Sequence, residues 1–519
     1  MEAQAVTAEN PFDSARQTFE TLIGKLQSAK TQALSHGEVE VLVQGDGREV
    51  LRQLFQAHLD VRGLGDVGDV VVGADDVART RRRVSARRLM SIFGLVLVTR
   101  LLYAPRDGGA PALAPMDASL NLPRESYSHG VRRRVAELAG QGAYDRVVDE
   151  VAKSTGAALP KRQAEELAAR AALDFDDFYA ERGQINEAEA QGELLVITVD
   201  GKGIVMRHDS LREPTRQAAA KQKHKLRGRL TKGEKRNRKR MATVASVYTI
   251  APDVRTASTI VEHLRGKDSK RRERPKPASK RVWASVMKKP GAVIDQAFQE
   301  GLRRDPQRRK RWVAVVDGNK TQLRLLREAA KRYGVELTIV LDVIHVIEYL
   351  WKAARVFHAD VDPAGEAWVD ERLLRVLQGK NSGVAGGIRR SATKRKITPS
   401  KRKAADKAAN YLLKYGEYLQ YDEYLAAGLP IASGVIEGAC RYLVKDRMDI
   451  TGARWSLEGA EAVLKLRALQ ASGDFDEYWA FHEDRECRSN HDVCYADFCP
   501  PDVNAGRHRG RPQLRFIKS

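Results

Sequence analysis

The first 180 residues space their apolar side chains mainly as helices do. Phe19, Leu22 and Leu26 recur at a helical period, which predicts an amphipathic helix within 14–35. A second helix is predicted around Leu54. Residues 91–103 are rich in β-forming side chains, which predicts a strand or hairpin. The pattern then predicts three further helices, at 130–140, 143–154 and 160–180.

Those three helices have two possible roles. Gly156 stands where a helix end needs a left-handed residue, and Pro160 suits the first turn of the next helix. The unit fits a DNA-binding helix-turn-helix, in which Lys161 and Arg162 would lie near the start of the recognition helix. It fits a purely structural bundle equally well, because helix-turn-helix units carry little sequence signature.

From residue 193 the pattern changes to short, almost uninterrupted apolar runs, as in buried strands. One run ends at Asp200, a second at Asp317 and a third at Asp342. Each aspartate is therefore predicted at the carboxyl end of a strand, where open α/β sheets place their sites. Residues 346–425 show mostly helical spacing. A last helix is predicted at 433–447, starting at Ser433.

Composition adds a polyanionic partner. The 519 residues carry a net charge of +22, and 42% are hydrophobic, enough for folded cores. An excess of positive charge on this scale favours nucleic acid. No apolar run reaches the roughly 20 residues of a membrane span, so no membrane partner is expected. The N-terminus lacks the features of a signal peptide and cysteines are few, so a cytoplasmic, nucleoid-associated location is expected. Basic runs predicted to include phosphate contacts occupy 221–240, 267–281, 303–311 and 389–403.

The acidic residues predict a metal site. Mg²⁺ prefers oxygen ligands, and paired ions can activate the attacking oxygen and stabilise the leaving oxygen in phosphoryl transfer. Asp200 and Asp317 could supply two carboxylates from neighbouring strands. Glu437 could supply a third from the last helix, with Arg441 four residues further on the same side. Each Asp-Gly alone also fits a simple turn after a strand.

Four segments resemble one protein family. VDGKG (199–203), VVDGNK (315–320), LDVIHVIEYLW (341–351) and SGVIEGACRYLVKDRMDITGARWS (433–456) resemble bacterial insertion-sequence transposases of the ISKra type. That family belongs to the DDE group, has an RNase H-like fold and is similar in plan to Mutator-like elements. The resemblance extends from about residue 90 to about residue 480.

The resemblance implies Asp200, Asp317 and Glu437 as catalytic, metal-binding acids, with two Mg²⁺ ions for which Mn²⁺ can substitute. Asp342, which also ends a strand, is the alternative second acid. Asp317 is preferred because a helix and a strand follow it, as expected for the strand beside the first one. Asp342 and His345 would form a D-x-x-H signature, with His345 contacting DNA or only packing.

Further residues are expected to assist or to bind DNA. Arg441, Arg454 and Trp455 are expected near the active site or a transposon end. The expected DNA-binding residues are Lys161, Arg162, Lys235, Arg236, Arg238, Lys239, Arg240, Lys445 and Arg447. The partners implied are double-stranded DNA, as terminal inverted repeats and target, and further copies of the chain on that DNA. His482, Cys487, His491, Cys494 and Cys499 are a zinc set or free side chains, and their spacing fits no standard finger.

The fold class predicted is α/β: an RNase H-like mixed sheet with a large helical insertion and a mainly helical N-terminal part. The function predicted for the chain is cleavage at transposon ends followed by strand transfer into target DNA. The alternatives are a metal-dependent RNase H-like nuclease without strand transfer and a domesticated or inactive DNA-binding protein. Seven segments are predicted: an N-terminal helical region (1–75), a β-prone segment with a Pro-rich linker (76–123), a helical and possibly DNA-binding domain (124–190), the first catalytic part (191–345), the helical insertion (346–428), the last catalytic part (429–472) and a tail (473–519).

Overall fold

The chain folds into two compact units. One is Met1–Phe178 with Phe475–Ser519, and the other is Tyr179–Asp474; we call them unit 1 and unit 2. The finer division into seven segments stays a prediction. Within the part of the chain that the structure describes, no helix has both the length and the apolar character needed to cross a membrane. The computed structural model describes residues 10–183, 192–221, 238–266, 274–359, 362–450 and 452–503.

Unit 1 combines helices with two β-hairpins. Its C-terminal part supplies the helix Phe475–Asn490 and two single 3₁₀ turns, Asp492–Cys494 and Ala496–Phe498. The earlier elements are α1 (Asp13–Gln27), α2 (Ala29–Gln32), α3 (His36–Val61), β1 (Val71–Val72), β2 (Ala78–Arg79), β3 (Arg81–Ser91), β4 (Gly94–Ala104), α4 (Pro115–Ser119), α5 (His129–Ala139), α6 (Tyr144–Thr155), α7 (Lys161–Arg170) and α8 (Phe175–Glu181).

The three predicted helices of this unit are present as α5, α6 and α7, followed by the short α8. They share a core that includes Val135, Val151 and Leu167. Gly156 ends α6 with φ of 70°, as the sequence predicted. The β-prone stretch 91–103 supplies the turn and the second strand of a hairpin: β4 pairs antiparallel over its whole length with β3, which precedes that stretch and was not predicted.

Unit 2 is built on one sheet surrounded by helices. Besides the elements named below it contains a 3₁₀ turn, Gly416–Tyr418, and a π-helix, Cys440–Lys445. The elements are β5 (Leu194–Val205), α9 (Glu213–Ala220), β6 (Lys239–Ile250), α10 (Ala257–Leu264), β7 (Ala278–Ser285), α11 (Pro290–Arg304), β8 (Arg311–Val316), α12 (Lys320–Tyr333), β9 (Leu337–Leu341), α13 (Val343–Phe357), α14 (Pro363–Leu377), α15 (Asn381–Lys394), α16 (Pro399–Lys414), α17 (Tyr421–Ala426), α18 (Gly434–Ala439), α19 (Asp446–Met448) and α20 (Leu457–Ser472).

The five strands lie in the order β7-β6-β5-β8-β9. The first three pair antiparallel, whereas β8 and β9 run parallel to β5. Helices α13 to α17 follow β9, the last strand of this mixed sheet. The predicted α/β class, with a mixed sheet and helical regions, is confirmed.

Strand alternation separates the two faces of the sheet. Trp312 of β8 packs against Phe298 of α11, with ring centroids 5.8 Å apart. Successive side chains of a strand point to opposite faces, so Val315 faces away from α11. Thr198 is the register partner of Val315 on β5 and faces the same way. Asp200, two residues after Thr198 on β5, therefore also lies on the face opposite α11.

A buried ion cluster fixes α11 to the edge of the sheet. The Glu300 carboxylate of α11 accepts hydrogen bonds from Arg281 of β7 (2.8 Å), Arg303 (2.8 Å) and Arg304 (2.7 Å). Burial alone would raise the pKa of Glu300, but the three guanidinium groups outweigh it and lower the pKa to about 2.

One strand is longer than predicted. The sequence predicts a strand that ends at Asp200, whereas β5 continues to Val205. The reason is its antiparallel neighbour: β6 pairs with β5 along the full length, and Asp200 is opposite Val244. The parallel neighbour β8 stops at Val316, so β6 is the neighbouring strand beyond that level, and on the other side the Val205 carbonyl accepts the backbone N–H of Trp455 at 3.1 Å.

Candidate functional site

Asp200 and Asp317 lie at the same level of two neighbouring parallel strands. The register between β5 and β8 joins Thr198 to Val315, and each aspartate comes two residues later. Because side chains on one face of a strand recur every second residue, both aspartates fall on the face opposite α11. Neighbouring strands are about 4.8 Å apart, so the two carboxylates belong to adjacent positions of one row.

The carboxylate of Asp200 is already held by two donors. Its Oδ1 accepts the backbone N–H of Gly201 at 2.6 Å, and its Oδ2 accepts the thiol of Cys440 at 3.2 Å. Burial, and then the nearby Asp200 carboxylate, raise the pKa of Cys440 well above its ordinary value. The thiol therefore stays protonated and acts as a donor.

Asp317 is held by the turn that follows it. Its Oδ1 accepts the backbone N–H of Asn319 at 2.9 Å, and the Asn319 side chain in turn caps α12 by accepting from Thr321 at 2.9 Å. Gly318 between them has φ of 86°, and a Cβ there would lie 2.8 Å from Leu341 Cδ2. The Asp-Gly-Asn sequence is thus required by the turn that presents Asp317, which is half-buried.

Asp342 continues the row of carboxylates but is fully buried. Val316 pairs with Leu341, so Asp342 is level with Asp317. Its Oδ1 caps α13 by accepting the N–H of Ile344 at 2.8 Å. Its Oδ2 accepts the N–H of Ser433 at 3.2 Å and also the Ser433 hydroxyl. Protein donors therefore occupy both of its oxygens.

Glu437 lies in the first turn of α18 and is exposed. Cys440, which contacts Asp200, comes three residues later, so α18 and the π-helix pack on the face of the sheet that carries Asp200. Ser433 precedes the helix as predicted, but its side chain makes no capping bond because its hydroxyl is directed to Asp342. Arg441 is exposed and lies 3.9 Å from Asp446.

The acids fit Mg²⁺ in their chemistry and only partly in their placement. All are carboxylates, the ligands that Mg²⁺ prefers, and Asp200 and Asp317 are neighbours in one row. Among the described residues, however, no group of three or more His, Cys, Asp or Glu side chains is arranged to hold a metal ion. Asp200 and Asp317 are therefore adjacent, while Glu437 is not brought onto them.

The expected accessory residues have mixed environments. His345 of α13 is half-buried, 3.9 Å from Glu348. Trp455 is buried, and its indole N–H donates to the carbonyl of Met448 at 3.1 Å. Arg454 beside it is exposed. Trp455 thus packs within unit 2, whereas Arg454 presents its charge to solvent.

The expected DNA-binding residues of unit 2 divide by burial. Lys239 and Lys445 are exposed and Arg238 is half-buried. Arg240 donates to the carbonyl of Val286 at 2.9 Å. Arg447 is buried, with its guanidinium 4.7 Å from the centre of the Trp455 ring, so it has a packing role in this conformation. Two further expected residues, Lys235 and Arg236, lie outside the described residues.

In unit 1 the expected recognition residues are on the surface. Lys161 and Arg162 begin α7 and are exposed; Lys161 lies 2.8 Å from Asp145 and Arg162 lies 3.0 Å from Glu166. Such surface ion pairs are weak and exchange readily. The C-terminal histidines bond elsewhere in the unit: His482 to Asp174 (2.6 Å), and His491 to the carbonyl of Leu122 (2.9 Å).

Sequence reasoning missed two features beside the acids. The Cys440 thiol is one, although its position three residues after Glu437 placed it on the same side of the helix. The other is a cavity of about 450 Å³ next to Asp317, lined by α13 and α16. Helical spacing over 346–425 predicts helices but does not show which of them pack together, so the cavity and its tyrosines, including Tyr411, have no sign in the sequence.

Comparisons with known proteins add little. Neither a protein-family model nor a curated protein matches the sequence. Among solved structures the chain is similar to the Drosophila P element transposase strand transfer complex, with a TM-score of 0.20 and 9% identity, over 73% of this chain and 82% of that chain. A similarity this weak carries no functional argument, so function must be argued from the geometry above.

Proposed function

We propose that unit 2 catalyses metal-dependent phosphoryl transfer on DNA and that the chain is a DDE transposase. The observation that carries the proposal is the row formed by Asp200, within β5, and Asp317, directly after β8, at the same level of two neighbouring parallel strands. Two carboxylates on adjacent positions repel each other unless a proton or a cation is bound beside them. Their chemistry and their location, where the parallel pairing ends, suit residues that would hold a divalent cation.

In this proposal Asp200 and Asp317 hold Mg²⁺, with Mn²⁺ able to replace it, and Glu437 completes the set. The bound ions supply activation of the attacking oxygen and stabilisation of the leaving oxygen. The chain orients its own ligands: the Gly201 N–H and the Cys440 thiol fix the Asp200 carboxylate, and the turn after β8 fixes that of Asp317.

Asp317 is a better second acid than Asp342. Both are level with Asp200 in the sheet, but Asp342 is fully buried, whereas Asp200 and Asp317 are half-buried. Binding a cation at Asp342 would also replace the hydrogen bonds that cap α13 and hold Ser433. Asp342 is therefore proposed as a positioning residue: by bonding Ser433 it holds the start of α18, the helix of Glu437, next to the end of β9.

The proposed substrate is double-stranded DNA. A net charge of +22 and exposed cations close in sequence to the acids, such as Arg441, Lys445 and Arg454, suit a polyphosphate backbone. The first step is attack of water on a phosphodiester, which leaves a free 3′-hydroxyl. In the second step that hydroxyl attacks a target phosphodiester and displaces a new 3′-oxygen, so one site serves both reactions. Joining two ends requires two copies of the chain on DNA.

The test is a cleavage and strand-transfer assay on DNA that flanks the gene, with Mg²⁺. Asp200→Asn, Asp317→Asn and Glu437→Gln should each lose both products by at least about 100-fold. They should bind DNA within about twofold of the parent chain, because no phosphate contact is removed. Asp209→Asn, an exposed acid of the same unit, is the matched control and should stay active.

The outcomes separate the alternatives. Cleavage without joined products would support a nuclease and contradict the transposase. DNA binding without either product, in the parent chain, would support a DNA-binding protein without catalysis. Full activity of Asp317→Asn together with inactivity of a well-folded Asp342→Asn would overturn the assignment of the second acid.

A further inference from the structure

The cavity beside Asp317 lies between α13 and α16, and neither Asp200 nor Glu437 lines it. It has a volume of about 450 Å³. One wall is the turn formed by Asp317 and Gly318, and the others are α13 and α16. It lies on the β9 side of Asp317, because α13 follows β9 directly. Its lining is mainly polar, unlike that of a hydrophobic ligand pocket.

Three lysine side chains line this cavity from two helices. Lys352 belongs to α13, and Lys407 and Lys414 belong to α16; all three are exposed. Lys352 lies 3.4 Å from Glu348, and Lys414 donates to the Tyr415 hydroxyl at 2.7 Å. Among the described residues Lys407 has no hydrogen bond or ion pair. Two carboxylates, those of Asp317 and Glu348, face these three ammonium groups, so the lining has an excess of one positive charge.

A buried hydroxyl without a partner belongs to one of the side chains that line this cavity. Tyr411 is only 8% exposed, and its ring stacks on Tyr349 with centroids 3.9 Å apart. Among the described residues its Oη has no hydrogen-bond partner. That oxygen lies 3.7 Å from the position that a Cβ on Gly318 would occupy, beside the turn that presents Asp317. Buried hydroxyls are nearly always bonded, so an unbonded one at a cavity wall indicates a missing acceptor.

The missing acceptor is best supplied by a phosphate. Phosphate oxygens are contacted in nucleic-acid complexes by Lys, Tyr and Asn side chains, and Asn410 completes that set here. A carboxylate ligand would suit the donors equally, but the neighbouring Asp317 is proposed to act on phosphodiesters. A strand that places one phosphate at Asp317 has its next phosphate within reach of a cavity that borders the same residue.

We propose that this cavity is a subsite for a phosphate of the DNA strand, adjacent to the reacting phosphodiester. It rests on the proposed function. Lys407 and Lys352 neutralise the phosphate, and the Tyr411 hydroxyl donates to one of its oxygens. These are positioning residues, since they touch the strand beside the reacting atoms. The chemistry recognised is a phosphate group, whether it belongs to DNA or to a free phosphate compound.

The test measures DNA binding by fluorescence anisotropy with the full chain, in EDTA, so that catalysis plays no part. Lys407→Gln should weaken binding and reduce the slope of log Kd against log salt by about 0.9, the value of one phosphate contact. Tyr411→Phe keeps the stacked ring and should weaken binding about fivefold. Lys331→Gln is the matched control: it is an exposed lysine of the same unit, on α12, lies outside the basic runs and does not line the cavity.

Each outcome either supports or overturns the proposed phosphate subsite. A lower salt slope in Lys407→Gln but not in Lys331→Gln, with weaker binding in Tyr411→Phe at an unchanged Tm, supports the subsite. Equal effects of both lysine changes would show a diffuse basic surface and overturn it. Inorganic triphosphate is the second probe: if the variants lose its binding while DNA affinity is unchanged, the cavity serves a free phosphate compound and the DNA subsite is wrong.

The subsite and the proposed function can fail separately. If the parent chain binds DNA through this cavity and never cleaves it, the subsite stands and the catalytic proposal falls. If the parent chain cleaves and joins DNA while the cavity variants match it in Kd, salt slope and KM, the catalytic proposal stands and the subsite falls.

Discussion

Asp342 Oδ2 accepts two hydrogen bonds from Ser433, one from its backbone N–H at 3.2 Å and one from its hydroxyl. This contact joins the start of α13 to the start of α18, across 433 − 342 = 91 residues of chain. It turns an acid that the sequence offered as a possible metal ligand into a link between two helix starts.

We therefore expect Asp342→Asn to lower stability and Asp317→Asn to leave it nearly unchanged. In Asp342→Asn an amide NH₂ group that faces Ser433 cannot accept its hydrogen bonds. Losing these buried hydrogen bonds should lower the free energy of unfolding by about 2 kcal/mol or more. Asp317 is half-buried and Asn can keep its bond to the backbone. Urea unfolding of both variants measures the difference. A stable Asp342→Asn variant that lacks activity would contradict the structural role.

The Cys440 thiol should resist alkylation. Only the thiolate reacts, and the raised pKa of Cys440 keeps it protonated through neutral and mildly alkaline pH. It is also buried, whereas Cys499 is exposed. Iodoacetamide at pH 8, followed by mass spectrometry of the native chain, should label Cys499 at least about tenfold faster. Comparable rates would contradict the burial of the Cys440 thiol and its hydrogen bond to Asp200.

Glu300 should make unit 2 sensitive to acid. Its pKa falls from 4.5 to about 2 in the folded chain, so its stabilising effect is complete above about pH 5. That effect is lost as pH falls from the unfolded value through the folded one, and it amounts to about 3 kcal/mol. Denaturant unfolding between pH 2 and pH 6 should show the loss.

Glu300→Gln should remove most of that pH dependence and lower stability at pH 7, because three arginines lose their buried partner. The matched control is Glu328→Gln, whose side chain is 49% exposed and pairs with Arg324 at the surface. It should change the free energy of unfolding by less than about 0.5 kcal/mol. Equal effects would mean that the buried cluster is not a special contributor.

Two glycines of unit 2 should respond oppositely to alanine. Gly318 has φ of 86° and no room for a Cβ beside Leu341, so Gly318→Ala should destabilise by about 1–2 kcal/mol and displace Asp317. Gly386 lies within α15, where a Cβ meets nothing within 4 Å. Gly386→Ala should stabilise by about 0.5–1 kcal/mol. Thermal unfolding of both tests the pair, and equal shifts would contradict the turn geometry.

Local patterns predicted the elements of this chain better than their contacts. Apolar runs predicted the strands before Asp317 and Asp342, because burial on both faces leaves a clear mark in the sequence. The continuation of β5 beyond Asp200 was not predicted, since it depends on an antiparallel partner some 45 residues further along the chain. The burial of Arg447 against Trp455 was missed for the same reason: a charged side chain gives no local sign of the aromatic ring that covers it.

The sequence offered three aspartates at predicted strand ends and ranked them only by resemblance and by the order of the elements that follow. In the folded chain Asp342 differs from the other two by its full burial, and the residue that holds it, Ser433, lies far away in the chain. Likewise, helical spacing identified α13 and α16 but not their packing, which creates the cavity with Tyr349 stacked on Tyr411.

The parallel pairing of β5 with β8 has a consequence for synthesis of the chain. Asp200 and Asp317 are separated by 317 − 200 = 117 residues, and strands so far apart pair late, after the loop between them has closed. While a ribosome is still making the residues before β8, the emerging chain can form the β5–β6 hairpin but has no second carboxylate beside the first. A truncated product that ends there would therefore lack the pair of acids on which the proposed catalysis depends.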